Sequence, residues 1–293
     1  MPTERATIDA TLKPEVTRRP VTTIRPPALT LRGMGRDLLK LVRYRDLLYT
    51  LTMHRIRVRY KQSILGAAWA IVQPLSLMLI YTVIFSLIVR MPSDGTPYAV
   101  FAYSALLPWT FLSTALSNAT NALVGHNQLI TRVYFPREIL PFTYVLASLV
   151  DFLVASTVFA GLMFYYGLSL SYTALYAIPI TLTLVCFATG VALFFSAMQV
   201  RFRDVGVAVP LLLQLWMFAS PVVYPLSAVP TRIRDIYLVN PMAGLIDGFR
   251  QVTVHSNPPD LRLLGLAAAT SFLFLVSGWI YFKRVEATIA DII

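Results

Sequence analysis

Hydrophobic positions along this chain fall in long uncharged blocks, not in the alternation of a half-buried strand. Six runs stand out, at 64–89, 98–124, 139–166 (interrupted only by Asp151), 174–198, 205–224 and 261–282. Each is long enough, at about 20 helical residues or more, to cover roughly 30 Å of hydrocarbon. Lipid cannot satisfy open backbone groups, so such runs predict helices, and no two-residue period supports a barrel. The segment 34–62 has a different rhythm. Leu38, Leu41, Val42, Leu48, Leu51 and Ile56 recur at three- and four-residue intervals, while Lys40, Arg43, Arg45 and Arg55 fall largely elsewhere around the helix. That pattern predicts a basic amphipathic helix lying in the membrane interface, or docked in a partner's groove.

The pattern divides the chain into a flexible basic tail (1–33, with prolines at 14, 20, 26 and 27), the amphipathic helix (34–62), a six-span body (63–284) and a short C-terminus (285–293). Between the fifth and sixth runs, the apolar stretch NPMAGLIDGF (240–249) is too short to cross. It predicts a re-entrant or interfacial helix pair. The expected fold class is therefore all-α integral membrane: six transmembrane helices, an N-terminal interfacial amphipathic helix and an external re-entrant or interfacial segment. No internal repeat is visible, so nothing supports the inverted-repeat plan of secondary transporters.

Composition strengthens this reading. The 293 residues are 57% hydrophobic and 13% charged, with a mean hydropathy of +0.66, whereas soluble domains carry about 25% charge. A single cysteine, Cys186, excludes a disulfide scaffold. The net charge of +11 resembles a nucleic-acid signal until it is located: 14 of the 25 Lys and Arg precede residue 63. With six spans, 20 of the basic residues fall on the side of the termini and 5 on the other. Both ends are expected in the cytoplasm, in a multi-pass protein of the cytoplasmic (inner) membrane. The first apolar run begins too late for a secretory signal. Membrane lipids are expected partners, and nucleic acid is not.

No catalytic constellation can be assembled. His54, His126 and His255 are scattered, and HExxH, CxxC and the phosphate-binding GxxxxGK[ST] are absent from the sequence. Neither a metal nor a catalytic site is expected, and ATP, if used, must be bound by another chain. Asp151 is the one ionisable group within a predicted span. It reads more readily as a hydrogen-bonded packing carboxylate than as a proton site, since a relay needs a chain of groups.

Several phrases, taken in order, carry a resemblance. LGAAWAIVQPL (65–75) starts the first span and VYFPREILP (133–141) opens the third. RFRDV (201–205) precedes the fifth and SPVVYP (220–225) ends it, while NPM (240–242) and Arg250 lie in the external segment. Together they resemble the permeases of type-2 ABC transporters that export polysaccharide, those of O-antigen and capsule, with teichoic acid permeases as relatives. The resemblance covers roughly residues 35–293. It implies a homodimer served by two copies of an ABC ATPase subunit. This chain would bind no cofactor, with ATP and Mg on the partner, and the substrate would be a lipid-linked glycan.

Placement within that plan nominates residues. The loop bearing Arg132, Tyr134, Phe135, Arg137 and Glu138 is expected to couple to the ATPase, its aromatics as anchors and its charges as pairs; an ordinary positive-inside loop is the alternative. Arg55 and Arg59 share a helix face by i,i+4 spacing and are the candidate entrance for a lipid pyrophosphate. Attraction to anionic lipid, at about 1 kcal/mol per basic residue, would explain them as well. Tyr81, Phe85, Trp109 and Trp216 are candidate conduit lining, or else helix packing. Asn240, Pro241 and Arg250 are the candidate outer gate. Rival classes are a membrane enzyme acting on polyprenyl phosphates, an ion-coupled carrier or channel, and an exporter of small hydrophobic compounds.

Overall fold

The computed structural model describes residues 42–61, 66–169 and 171–292; the tail 1–33 and the start of the amphipathic segment lie outside the described residues. Among the described residues the protein is helical throughout. Helix α1 (Arg45–Tyr60) is the amphipathic element. Leu47, Leu48 and Leu51 pack inward with Tyr44, whereas Tyr49 and Val58 stay exposed.

Helix α2 (Trp69–Tyr81) contains Pro74 and continues as a π-helical turn, Thr82–Ile88. It is barely covered: Leu79, Ile80, Val83, Leu87 and Ile88 are all exposed. Helix α3 (Tyr98–Thr120) is its opposite, buried along nearly its whole length, and it contacts almost every other long helix. A short helix α4 (Asn127–Arg132) precedes α5 (Ile139–Tyr165). A 3-10 turn, Tyr172–Tyr176, leads into α6 (Ala177–Arg201). The chain then forms α7 (Val205–Phe218), α8 (Thr231–Leu238), α9 (Pro241–Thr253) and α10 (Leu261–Ile292).

Among the described residues, five helices are long and apolar enough to cross a membrane: Trp69–Ile88, Tyr98–Thr120, Ile139–Tyr165, Tyr172–Arg201 and Leu261–Glu286. The run 205–224, expected to be a full span, departs from that expectation. Its helix, α7, stops at Phe218 after 14 residues, about 21 Å at the usual rise. Pro221 explains the stop, because the residue before a proline is driven out of the helical region. Residues beyond Phe218 continue as turns, with the Val222 N–H donating to the Ser220 carbonyl at 2.7 Å. The helix pair expected in the external segment is present as α8 and α9, and α9 is buried on almost all sides.

Helices α6 and α10 form the closest pair. A Cβ on Gly278 would lie 2.0 Å from the Gly190 carbonyl oxygen, and one on Gly190 would lie 2.5 Å from Leu275 Cα. Only glycine permits this backbone approach, which is how apolar helices gain dispersion energy without a hydrophobic driving force. The buried side chains form a large core built on α3, α5, α6, α7 and α9, a smaller one at the α1 end, and a third of Tyr98, Phe101 and Ala102 at the start of α3. The smaller core joins α1, α4, the loop 133–138 and the ends of α6 and α10.

Candidate functional site

At the α1 end, the loop 133–138 is divided between two directions. Phe135 inserts into the smaller core beside Ile139, Phe282 and Val285. Glu138 is 4% exposed and pairs with Lys283 at 2.9 Å, and Lys283 also reaches Glu286 at 2.8 Å. Arg137 donates to the Glu286 carbonyl oxygen. Burial and the nearby Glu286 carboxylate push the Glu138 carboxyl above its usual range despite Lys283. The outward face is left to Arg132, Val133 and Tyr134, with Tyr134 85% exposed. Of the five residues nominated in this loop, Arg132 and Tyr134 point outward, while Phe135, Arg137 and Glu138 hold the loop onto α10.

Arg55 and Arg59 do share a face, and both reach α5. Arg55 donates to Thr143 Oγ1 at 2.6 Å and stacks 3.5 Å from the centre of the Tyr144 ring. Beside it, the His126 Nδ1 donates to the Ala122 carbonyl at 2.9 Å, so Nε2 faces the Arg55 guanidinium at 3.5 Å as an acceptor. Burial and Arg55 together lower the His126 pKa. Arg59 forms an ion pair with Asp151. Asp151 of α5 is thus a partner for the amphipathic helix.

The four nominated aromatics occupy different surroundings. Tyr81 and Phe85 meet edge to face at 5.8 Å, Phe85 stacks on Tyr98 at 6.5 Å, and Tyr81 Oη donates to Met217 Sδ at 3.4 Å. This chain of rings ties the exposed α2 to α3 and α7. Trp109 is buried in the large core, edge to face with Trp216 at 6.2 Å. Trp216 is half-buried and donates its indole N–H to Asn240 Oδ1 at 3.1 Å.

Asn240 and Arg250 meet the end of α7. Asn240 caps α9, its Oδ1 accepting from the Met242 N–H at 3.1 Å, with Pro241 in the first turn. Its Nδ2 donates to the Ala219 carbonyl at 3.0 Å and to Ser220 Oγ at 2.9 Å. Arg250, 1% exposed, donates through Nη2 to the carbonyls of Pro221 at 3.0 Å and Val222 at 3.4 Å. Its guanidinium lies 3.7 Å from the centre of the Phe101 ring, and Nε reaches Ser104 Oγ at 3.4 Å. Burial pulls its pKa down to about 10, so it stays charged at neutral pH. These two side chains satisfy the carbonyls released where Pro221 breaks the helix, which apolar surroundings would otherwise leave unpaired.

The architecture defines a multi-pass helical membrane protein with a broken, short helix braced from one end and an anchored loop at the other. The family model described as ABC-2 type transporter matches residues 46–254, and the chain belongs to that family. It is 28% identical over 249 residues to a Klebsiella pneumoniae protein named O-antigen export system permease protein RfbA, covering 85% of this chain and 95% of that relative. A Myxococcus xanthus protein of the same name is 30% identical over 250 residues, covering 84% of this chain and 95% of the relative.

Sequence reasoning missed Lys283, Ser104 and the Gly190–Gly278 approach. Lys283 reads locally as one more positive charge at a span end, and its partner lies 145 positions away. Ser148 also gave no signal; it is 1% exposed and its hydroxyl has no hydrogen-bond partner among the described residues.

Proposed function

We propose that this chain is the permease subunit of an ATP-driven exporter that moves a lipid-linked polysaccharide, of O-antigen or capsule type, across the cytoplasmic membrane. The observation that carries this reading is likeness to O-antigen export permeases along nearly their whole length. Two copies of the chain form the conduit, and two copies of an ABC ATPase bind ATP and Mg. The α1 end and both termini face the cytoplasm. There the ATPase meets Arg132, Val133 and Tyr134, while Phe135, Arg137 and Glu138 pass its movement to α10. An exposed aromatic beside an arginine is the pairing that most often dominates interface energies. Asn240 and Arg250 hold the outer turns against α3, where they close the external mouth.

Purification from native membranes in mild detergent tests this. A stoichiometric ATPase should accompany the chain, and Arg132→Glu combined with Tyr134→Ala should lower its recovery about tenfold. Transport by the chain alone, with no ATPase bound, would overturn the reading.

A further inference from the structure

A half-open groove of about 140 Å³ lies where the end of α1 meets α2, α3 and α5. Its walls are unusual for a membrane helix bundle. Trp69 and Gln73 come from α2, Thr110 and Thr114 from α3, and Ser148 from α5, with the Arg59–Asp151 ion pair beside them. Gln73 is exposed on a helix that is otherwise almost entirely apolar. Trp69 is 50% exposed, so its indole is available to a ligand. Ser148 is the decisive group: a buried hydroxyl in this wall with no hydrogen-bond partner among the described residues. Such a group is destabilising unless a ligand or water completes it.

Thr110 and Thr114 of this wall belong to a longer polar stripe on α3. Thr110, Ser113, Thr114, Ser117, Asn118 and Asn121 recur at steps of three and one and so lie on one helix face. Several of their polar groups turn back onto the helix itself: Thr110 Oγ1 donates to the Leu106 carbonyl, Ser113 Oγ to that of Thr110 and Asn118 Nδ2 to that of Thr114. The face is polar, uncharged and only half-buried.

We infer that this groove binds an uncharged sugar ring, the one nearest the lipid anchor, and that the pyrophosphate is held elsewhere. The inference rests on the exporter reading above. Arg59, the cation in the described lining, is paired with Asp151, and Arg55 lies outside it, so the described walls offer an anion no uncompensated positive charge. It offers hydroxyls, an amide and a carboxylate as donors and acceptors, and an indole for the apolar face of the ring. Those are the groups that pair with an array of sugar hydroxyls and C–H bonds.

Trp69 supplies the test, because Trp109 and Trp279 are buried in the protein. The full chain with its co-purifying partners, in nanodiscs, is titrated with undecaprenyl pyrophosphate carrying one hexose and with bare undecaprenyl pyrophosphate. The sugar-bearing lipid should change the tryptophan fluorescence saturably at about tenfold lower concentration than the bare one, and Trp69→Phe should remove the change. Trp216→Phe, at the half-buried indole held by Asn240 outside the groove, should leave it in place. Ser148→Ala and Gln73→Leu should each weaken the sugar-bearing lipid about fivefold and leave the bare one unaffected, one hydrogen bond apiece. Equal binding of the two lipids, loss of neither on substitution, or no binding at all overturns the groove. Co-purification of an ATPase and export by the same preparation are scored separately, so the groove can fail while the exporter reading stands.

Discussion

The two ends of the molecule each bury a cation, and they neutralise it by different means. At the α1 end, Lys283 sits between the carboxylates of Glu138 and Glu286, and the pair joins two segments far apart in sequence. At the other end, the hydrogen bonds of Arg250 run to neutral oxygens, those of Ser104, Pro221 and Val222, and the Phe101 ring covers its face. Asp247, on the same helix, supplies countercharge through space. The difference follows from what each end has to hold. A loop held against a helix 145 positions away in sequence needs a directional tie, and an ion pair with a fixed geometry gives one. A broken helix instead exposes several carbonyls in apolar surroundings, and a planar guanidinium can serve more than one of them.

Removing Lys283 should break that contrast most severely. Lys283→Met strands the buried Glu138 carboxylate and should cost about 3 kcal/mol, since breaking a buried pair is far worse than lacking one. Replacing both partners, Lys283→Met with Glu138→Leu, should recover more than half of the loss. Thermal unfolding of the detergent-purified protein measures both. Limited proteolysis around 133–138 should show the single variant loosened there while 219–224 keeps its protection. Additive losses in the double variant would mean that the two side chains do not act as a pair.

Arg250→Lys should do the reverse on a smaller scale. The charge survives, but the fork that serves Pro221 and Val222 and the stacking on Phe101 do not, at a cost of about 2 kcal/mol. Hydrogen exchange should rise at 219–224 and α9 and stay unchanged at the loop 133–138. A lysine that restores wild-type protection would show that the charge alone matters, and the contrast between the ends would then be one of degree.

How much of this was legible in the sequence depends on the range of each interaction. The long spans and α1 announce themselves because lipid and interface impose a local periodicity. The inner face of α1 is occupied as expected, by Leu48 and Leu51 among others. The stop at Phe218 was also written locally, in the Pro221 that follows, but a hydropathy run reads through a proline in an apolar stretch. The ties that hold the two ends are different in kind. Nothing near Glu138 indicates that Lys283 will meet it, and Gly190 gives no sign that Gly278 will face it across α6 and α10. Likewise, the direction in which Phe135 and Tyr134 point is set by the core beneath them, so adjacent aromatics nominated for one role are split between two. Asp151 stood out as the one carboxylate within a predicted span, but nothing near it pointed to Arg59, 92 positions earlier, as its partner.

Acid should separate the two ends least, and a single variant sharpens the result. Each end holds a histidine whose pKa is lowered by burial, His126 beside Arg55 and His255 near Arg250. A histidine depressed in the folded state stays neutral there, while the unfolded chain takes up the proton as the pH falls through about 6.5. Stability from these sites is therefore present above that pH and is lost below it. At the α1 end the mechanism is specific: His126 takes up its proton only where α1 has opened, because a protonated Nε2 cannot accept from Arg55 and repels it, so α1 should open more often at pH 5.5 than at pH 7.5. Protection factors over 45–60, with the intrinsic pH dependence of amide exchange divided out, should fall on acidification, by the smallest margin of these three tests. His126→Gln should flatten that pH response, because its amide does not titrate, while the response over 241–253 stays as in the unaltered chain. If the variant leaves the acid response of α1 intact, the Arg55–His126 contact does not govern how the amphipathic helix is held.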